Sequence, residues 1–207
     1  MTREIGILGA GGMAREAASY AREPAVFFAV DSRFVVDGDD HLIDIKNPSE
    51  RQILTPVVAA LGAPAVRAAM INVWPGSVYT NVIADSAEVY PELDGSGIII
   101  APGSLVTVGT EIGDHTIVNC SASIAHDCRL GEFVTISPGA HVGGNVAVGD
   151  GAFIGIGATV SNGVTIAKGA VIGAGAVVIN DITQENAVVV GVPGRIVKIN
   201  EGWLHEV

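Results

Sequence analysis

The sequence predicts an α/β unit of half-Rossmann type followed by a parallel β-helix, and three observations carry that prediction. An Ile, Leu or Val stands at every sixth position from Ile100 to Val178 without a slip. Four positions after each comes a small or β-branched residue, as at Ser104, Thr110, Ala122, Cys128, Ala140 and Ala176. Ahead of this repeat an apolar run, residues 4–8, leads into the glycine turn Gly9-Ala10-Gly11-Gly12. A helix needs a period of 3.6 and an ordinary strand a period of 2. A period of six with a small partner is the mark of hexapeptide repeats.

The first unit reads as strand, turn, helix, strand. Residues 4–8 are the first strand, residues 9–14 the turn, and residues 15–22 have helix-forming composition. Residues 26–30 are a second apolar run ending at Asp31, and residues 31–50 are polar, acidic and loop-rich. A third strand over residues 55–61 ends at Gly62, a helix is expected over 65–71, and Val82-Ile83 is a short strand. This is a small parallel β-α-β unit. The second half of a dinucleotide fold does not follow, so a mononucleotide or nucleotide-sugar fits the glycine turn better than NAD.

In the repeat, each hexapeptide gives one strand and one corner, and three hexapeptides give one triangular coil. Ile100, Val118, Ile136, Ile154 and Ile172 then stack as one interior ladder, about 4.8 Å apart as neighbouring strands are. Gly113, Asn119, Gly131, Gly143, Gly149, Gly155 and Gly173 are expected to let the backbone turn at the corners. Residues 91–97 break the phase and read as an inserted loop. The divisions are residues 1–82, residues 83–183 for the coil, and residues 184–207 as a cap over its end. The ladder is expected to stand without the α/β unit that precedes it.

The net charge of −11 argues against nucleic acid or an anionic membrane as partner. The chain opens directly into a strand pattern, and no apolar stretch reaches the length of a membrane span. Two cysteines are too few for a disulfide scaffold; Cys128 occupies a small-residue position and is read as packing, and a reducing cytoplasm follows. No metal-ligand spacing appears.

Two places could carry chemistry. Gly9-x-Gly11, between a strand and a helix, lets backbone N–H groups approach an anionic group. Asp31, at the end of the second strand, stands where a ribose or base hydroxyl could be bound. Of the five histidines, His41 and His205 are read as surface residues, and His115 and His141 as facing solvent or a neighbouring chain. His126 differs: Asp127 follows it, and one coil later the stacked position is Gly144, preceded by Gly143. A histidine beside a carboxylate, under two residues without side chains, supplies a base and room for a ligand. The rival reading is a non-catalytic scaffold that binds a nucleotide, for which this pair has no use.

These segments also carry a resemblance. Gly9 to Gly12, Gly62 with Arg67, Asn119 through His126-Asp127-Cys128, Gly131-Glu132-Phe133 and Ser137 to Ala140 match in order. So do Gly143-Gly144-Asn145-Val146, residues 154–158 and Gly191-Val192-Pro193. Together they resemble the sialic acid O-acyltransferase and nucleotide-amino-sugar N-acetyltransferase family (NeuD/PglD-like). The resemblance implies a left-handed β-helix, a homotrimer, and acetyl-CoA in a groove between neighbouring coils. It implies direct acetyl transfer to the amine of a nucleotide-linked 4-amino-deoxy sugar, or to a sialic acid or other sugar hydroxyl. His126 would be the general base and Asp127 its carboxylate partner. Gly11, Gly12, Asp31, Gly62, Asn119 and Thr135 would bind the acceptor. Gly143, Gly144, Ile156, Gly157 and Ala174 would bind acetyl-CoA, with the Gly144 N–H on the developing oxyanion. The chain departs from the family where Met13 and Thr135 stand at positions often held by histidine.

Overall fold

Ile5–Leu8, buried throughout, forms β1 near the middle of the first sheet. The structure, a computed structural model, describes residues 4–204, so His205 lies outside the described residues. After β1 come α1 (Gly12–Tyr20), β2 (Ala25–Val30), a single 3-10 turn at Ser32–Phe34, β3 (Leu42–Asp44), α2 (Glu50–Leu54), β4 (Val57–Ala59) and α3 (Pro64–Val73). The strands pair in parallel in the order β3-β2-β1-β4. Local chemistry sets the helix starts: Ser49 and Gln52 form a capping box for α2, and Pro64 opens α3 where its missing N–H costs nothing.

Two details differ from expectation. The first helix begins at Gly12 rather than at residue 15, because the glycine turn ends at the N-cap Gly11. The acidic segment is not all loop: Leu42–Asp44 pairs with Phe28, Ala29 and Val30 and adds an edge strand. An edge strand half-covered by one neighbour needs little apolar content, so composition hid it.

The coil starts at Val82–Ile83 and rises in steps of three hexapeptides on three faces. The first face stacks Ile99–Ile100, Ile117–Val118, Thr135–Ile136, Phe153–Ile154 and Val171–Ile172. The second runs from Glu88–Val89 through Leu105–Val106, Ser123–Ile124, His141–Val142 and Thr159–Val160 to Val177–Val178. The third, from Glu111–Ile112 through Arg129–Leu130 and Ala147–Val148 to Thr165–Ile166, has no strand in the first coil, where the loop over residues 91–97 intervenes. The predicted aliphatics and their small partners form one continuous core. Each fully buried Val, Leu or Ile contributes about 1.5–3 kcal/mol. Beyond the last coil, Ala187–Val190 pairs with Val171–Ile172 and turns back antiparallel as Arg195–Ile199, so that Ile182, Ala187 and Val189 close the end of the core.

The corners turn two positions beyond where the glycines were expected to act. None of Gly113, Asn119, Gly131, Gly143, Gly149, Gly155 and Gly173 has a positive φ. The left-handed residue lies three places after each aliphatic: Gly109, His115, Ser121, Asp127, Phe133, Gly139 and Asn145 are successive examples. The expected glycines serve close approach instead. A Cβ on Gly113 would lie 2.5 Å from the backbone of Gly131, and one on Gly155 2.6 Å from the Ile172 carbonyl oxygen.

The coil does not stand free of the α/β unit. Ile99 and Ile117, pointing outward from the first face, are fully buried with Ile5, Ile7, Ala14, Ala17 and Val58 of that unit. Arg67, on α3, is 0% exposed and reaches across the junction. Its guanidinium donates to the carbonyls of Leu61 and Gly62 on one side, and to those of His115 (2.7 Å), Phe133 (2.7 Å) and Val134 (3.1 Å) on the other. Burial pulls its pKa down to about 9, which still leaves it a cation at neutral pH.

His115 is buried too, not solvent-facing as the sequence suggested. Its ring stacks on Phe133 (5.0 Å between centroids) and meets Tyr79 edge-on at 4.7 Å. Its Nδ1 has no hydrogen-bond partner among the described residues. Burial lowers its pKa, Asp114 raises it by less, and the Arg67 cation lowers it further. A histidine in the unfolded chain titrates near 6.5, so below that pH the unfolded state takes up the proton first. Stability is therefore expected to be full above about pH 6.5 and to fall as the pH drops below it. Urea midpoints at pH 8 and pH 5.5 measure the slope, and His115→Phe should flatten it. Phe133 shows that an aromatic residue fits the same left-handed corner.

Candidate functional site

His126 sits at the corner after Ser123–Ile124, on the edge where the second face meets the third. Its Nδ1 lies 2.8 Å from Asp127 Oδ2, and both side chains are more than half exposed. Asp127 accepts the Nδ1 proton, which leaves the lone pair on Nε2. Asp127 takes the left-handed conformation, φ 59°, and its N–H is fixed 3.0 Å from the Val108 carbonyl of the coil below. The corner backbone thus aims the carboxylate at the imidazole. The other ring nitrogen lies against Gly144: a Cβ there would be 2.7 Å from Nε2. Any side chain at 144 would displace the imidazole itself, so the glycine keeps Nε2 open to accept a proton.

The Gly144 N–H, expected to face the thioester carbonyl, meets an exposed side chain in this structure. It donates to Asn162 Oδ1 at 3.0 Å, and the Gly143 N–H to the Val160 carbonyl at 2.9 Å.

The second region is a cleft of about 730 Å³ in the α/β unit. Gly9, Ala10 and Gly11 form one end, at the start of α1, with Asp31, Arg33 and Lys46 beside them. Leu42, Ile45, Val66, Ala69 and Met70 line the apolar remainder, and Phe34 stands 62% exposed on the lining. Gly11 and Gly12 have no atoms within reach of an added Cβ, so a ligand can approach the backbone closely. The Arg33 N–H (3.1 Å) and guanidinium (2.9 Å) both donate to Asp31 and hold its carboxyl below the usual range, so it is an acceptor at any ordinary pH.

The remaining expected residues fall elsewhere. Thr135 is 1% exposed; its hydroxyl donates to the Gly62 carbonyl (2.8 Å) and accepts from Arg67 (3.0 Å). Thr135 and Gly62 thus meet each other at the junction, where the α/β unit covers that part of the first face. Asn119 is 8% exposed and its amide donates to the Ile136 carbonyl at 3.1 Å. Ile156 (62% exposed), Gly157 and Ala174 follow one another on the edge between the first and second faces, away from His126 in the same chain. His141 is exposed, with Nδ1 2.8 Å from Ser123 Oγ. Cys128 is buried with its thiol 3.0 Å from the Gly143 carbonyl, and burial raises its pKa, as packing requires.

Sequence reasoning missed Arg33, Phe34 and Lys46 in the cleft, and Asn162 above Gly144. The coil-to-coil register that led from His126 to Gly144 reaches Asn162 in one more step. Among the described residues no helix is long and apolar enough to cross a membrane.

No family model and no curated protein matches the chain. Solved structures do. The acetyltransferase domain of PglB from Neisseria gonorrhoeae, in complex with acetyl coenzyme A, is 30% identical over 95% of this chain and 100% of that one, with a TM-score of 0.82. PerB from Caulobacter crescentus, in complex with CoA and GDP-perosamine, is 30% identical over 93% of this chain and 96% of that one, with a TM-score of 0.80. WeeI from Acinetobacter baumannii is 27% identical over 94% of this chain and 99% of that one, with a TM-score of 0.81. With the parallel coil, the His126–Asp127 pair and near-complete coverage of both chains, the protein belongs to the sugar N-acetyltransferases of the hexapeptide-repeat superfamily.

Proposed function

We propose that this protein transfers the acetyl group of acetyl-CoA to the amine of a nucleotide-linked 4-amino-deoxy sugar. The observation that carries the reading is the imidazole of His126, held by Asp127 and open at Nε2 because residue 144 has no side chain. It stands in a chain that is similar along its length to a protein bound to CoA and GDP-perosamine. The amine nitrogen attacks the thioester carbon, Nε2 takes the proton that nitrogen sheds, and the CoA thiolate leaves and is protonated. Asp127 stabilises the imidazolium in between.

The nucleotide lies in the cleft of the α/β unit, a half-Rossmann domain over residues 1–82. Its phosphates sit at Gly11 and the start of α1, with Lys46 and Arg33 supplying positive charge. The coil over residues 83–183 is left-handed, as the resemblance implies, and residues 184–207 cap it. The α/β unit packs on the first face, while His126 lies on the opposite edge, between the second and third faces. A sugar held in one cleft therefore meets the His126 of another copy. That arrangement supports a homotrimer, with acetyl-CoA between coils against Gly143, Ile156, Gly157 and Ala174. The acetyl donor and two free cysteines support a cytoplasmic site.

The test is CoA release, followed with a thiol reagent, over a panel of nucleotide sugars. Release with 4-amino sugars and not with their 4-hydroxy counterparts is the expected result. Release with sialic acid alone would make the enzyme an O-acetyltransferase, and none with any sugar would favour a scaffold. Ala69→Trp, filling the cleft from α3, is expected to weaken nucleotide-sugar binding by about tenfold or more and to leave acetyl-CoA binding unchanged. Calorimetry with each ligand measures both.

A further inference from the structure

We infer that the C-terminal segment is a strap that sets the nucleotide cleft against the coil, with Trp203 as its positioning residue. The inference rests on the nucleotide reading above and adds to it what holds one wall of the cleft in place.

Gly97, His115, Phe133, Gly151 and Gly169, each one coil above the last, stand with positive φ along the edge between the third and first faces. Asn186 continues the line: its N–H donates to the Lys168 carbonyl at 2.9 Å, and its φ is 57°. The chain closes the end of the core and then returns to this edge. The Asn200 N–H donates to the Asn186 carbonyl at 2.9 Å, and the residues after it run back down the edge. The Trp203 indole lies on the floor that two glycines leave bare. A Cβ on Gly151 would run into the ring, and one on Gly169 would lie 2.7 Å from its Cδ1. Lys168 Nζ lies 5.4 Å from the ring centre, and Phe133 is 6.0 Å away between centroids. A cation over an indole and an aromatic neighbour both favour that placement of the ring.

One residue further the strap crosses to the α/β unit. The Leu204 carbonyl accepts the Ala65 N–H at 3.2 Å. α3 opens with Pro64, which has no N–H, and its N-cap Ala63 has no side chain that accepts. The first N–H groups of a helix have no partner within it, so the strap supplies one from outside. α3 is a wall of the cleft, which Val66, Ala69 and Met70 line. From the same helix Arg67 donates to the carbonyl of Phe133, the residue beside the indole. α3 is thus pinned to one edge of the coil twice, by the Arg67 bonds and by the strap at its start. With the strap released, the start of α3 shifts more freely, and a nucleotide-sugar meets the competent wall in only a fraction of the molecules. Acetyl-CoA is not affected in the same way. The strap runs on the one edge that holds neither His126 nor Ile156 and Gly157.

Two variants test this. Calorimetry with UDP, GDP and dTDP selects the tightest binder to wild type as the probe. Its Kd is expected to rise about tenfold in Trp203→Ala, as when the competent fraction falls to about a tenth, while the Kd of acetyl-CoA stays within about twofold. Trp203→Phe keeps a ring on the two glycines and should recover most of the loss. Undiminished nucleotide affinity in Trp203→Ala would overturn the inference. So would equal losses for the nucleotide and acetyl-CoA, which would leave the indole an ordinary packing group. A second readout needs no ligand. Amide hydrogen exchange over residues 65–73 should quicken in Trp203→Ala and return towards wild type in Trp203→Phe, with exchange in β1 unchanged in both. Unchanged exchange in α3, or the same quickening in β1, would overturn the inference. Quickened exchange confined to α3, with no nucleotide bound by wild type, would instead tell against the nucleotide reading alone.

Discussion

Replacing His126 with alanine is expected to lower turnover by about 10²–10⁴, the usual contribution of a general base, without changing the melting temperature or the acetyl-CoA affinity. The ring is more than half exposed and packs on nothing in the core, so its loss removes no burial. The corner backbone it occupies is fixed by its own carbonyl, which accepts the Asn145 N–H at 2.9 Å. Asp127→Asn is expected to cost less, since Asp127 orients the imidazole and stabilises its protonated form without taking the amine proton. Steady-state kinetics with the preferred nucleotide sugar measures both. Near-normal turnover in His126→Ala would remove the base from this edge altogether.

Arg67→Ala is expected to give the largest loss of stability, about 3–5 kcal/mol, because it strands several buried carbonyls at once. The Leu61 and Gly62 oxygens belong to the turn after β4, and the His115, Phe133 and Val134 oxygens to two successive coils. Among the described residues no acidic side chain bonds to the guanidinium, so carbonyl and hydroxyl oxygens are all that compensates the buried charge. Arg67→Lys should recover only part of the loss, since an ammonium has three donors and no fork. Urea unfolding of the three proteins at one pH gives the comparison. A shift within about 0.5 kcal/mol for Arg67→Ala, the range of an ordinary surface substitution, would mean that water replaces the guanidinium. For the same reason a chain starting at residue 83 is not expected to match the intact protein in stability. Ile99, Ile117 and the oxygens of the junction would meet solvent.

What the sequence showed and hid follows from the range of the interactions. The coil was legible because its register repeats: Ile100, Val118 and Ile136 each see the same neighbours, so a local pattern specifies a global stack. The His126–Asp127 pair was legible because one residue and one coil separate all its parts. The left-handed corner position was not. Gly109, His115, Ser121, Asp127 and Phe133 all fill it, and no composition rule links them when, as at His115, Ser121, Asp127 and Phe133, a carbonyl of the preceding coil holds the corner N–H. The junction was hidden for a different reason. Arg67 reads as one charge on an apolar helix, and its partners on the coil lie 48 to 68 residues away. The contacts of Thr135 were hidden on the same account, because only the packed α/β unit brings Gly62 and Arg67 to its hydroxyl. In the cleft, Gly11 and Asp31 were visible as a motif. Arg33, Phe34 and Lys46 depend on the path of a loop that composition leaves open.

The corner bonds carry one more implication. Asp127 N–H joins the Val108 carbonyl, Asn145 N–H the His126 carbonyl, and Gly163 N–H the Gly144 carbonyl. Each bond uses main-chain atoms alone, so the residue before the turn is held whatever side chain it bears. Valine, histidine, glycine and asparagine follow one another along this edge at the same backbone address. The scaffold is thus nearly indifferent to what is displayed there. A lineage can acquire a reactive group at such an address, lose it or move it by one coil without endangering the fold that presents it.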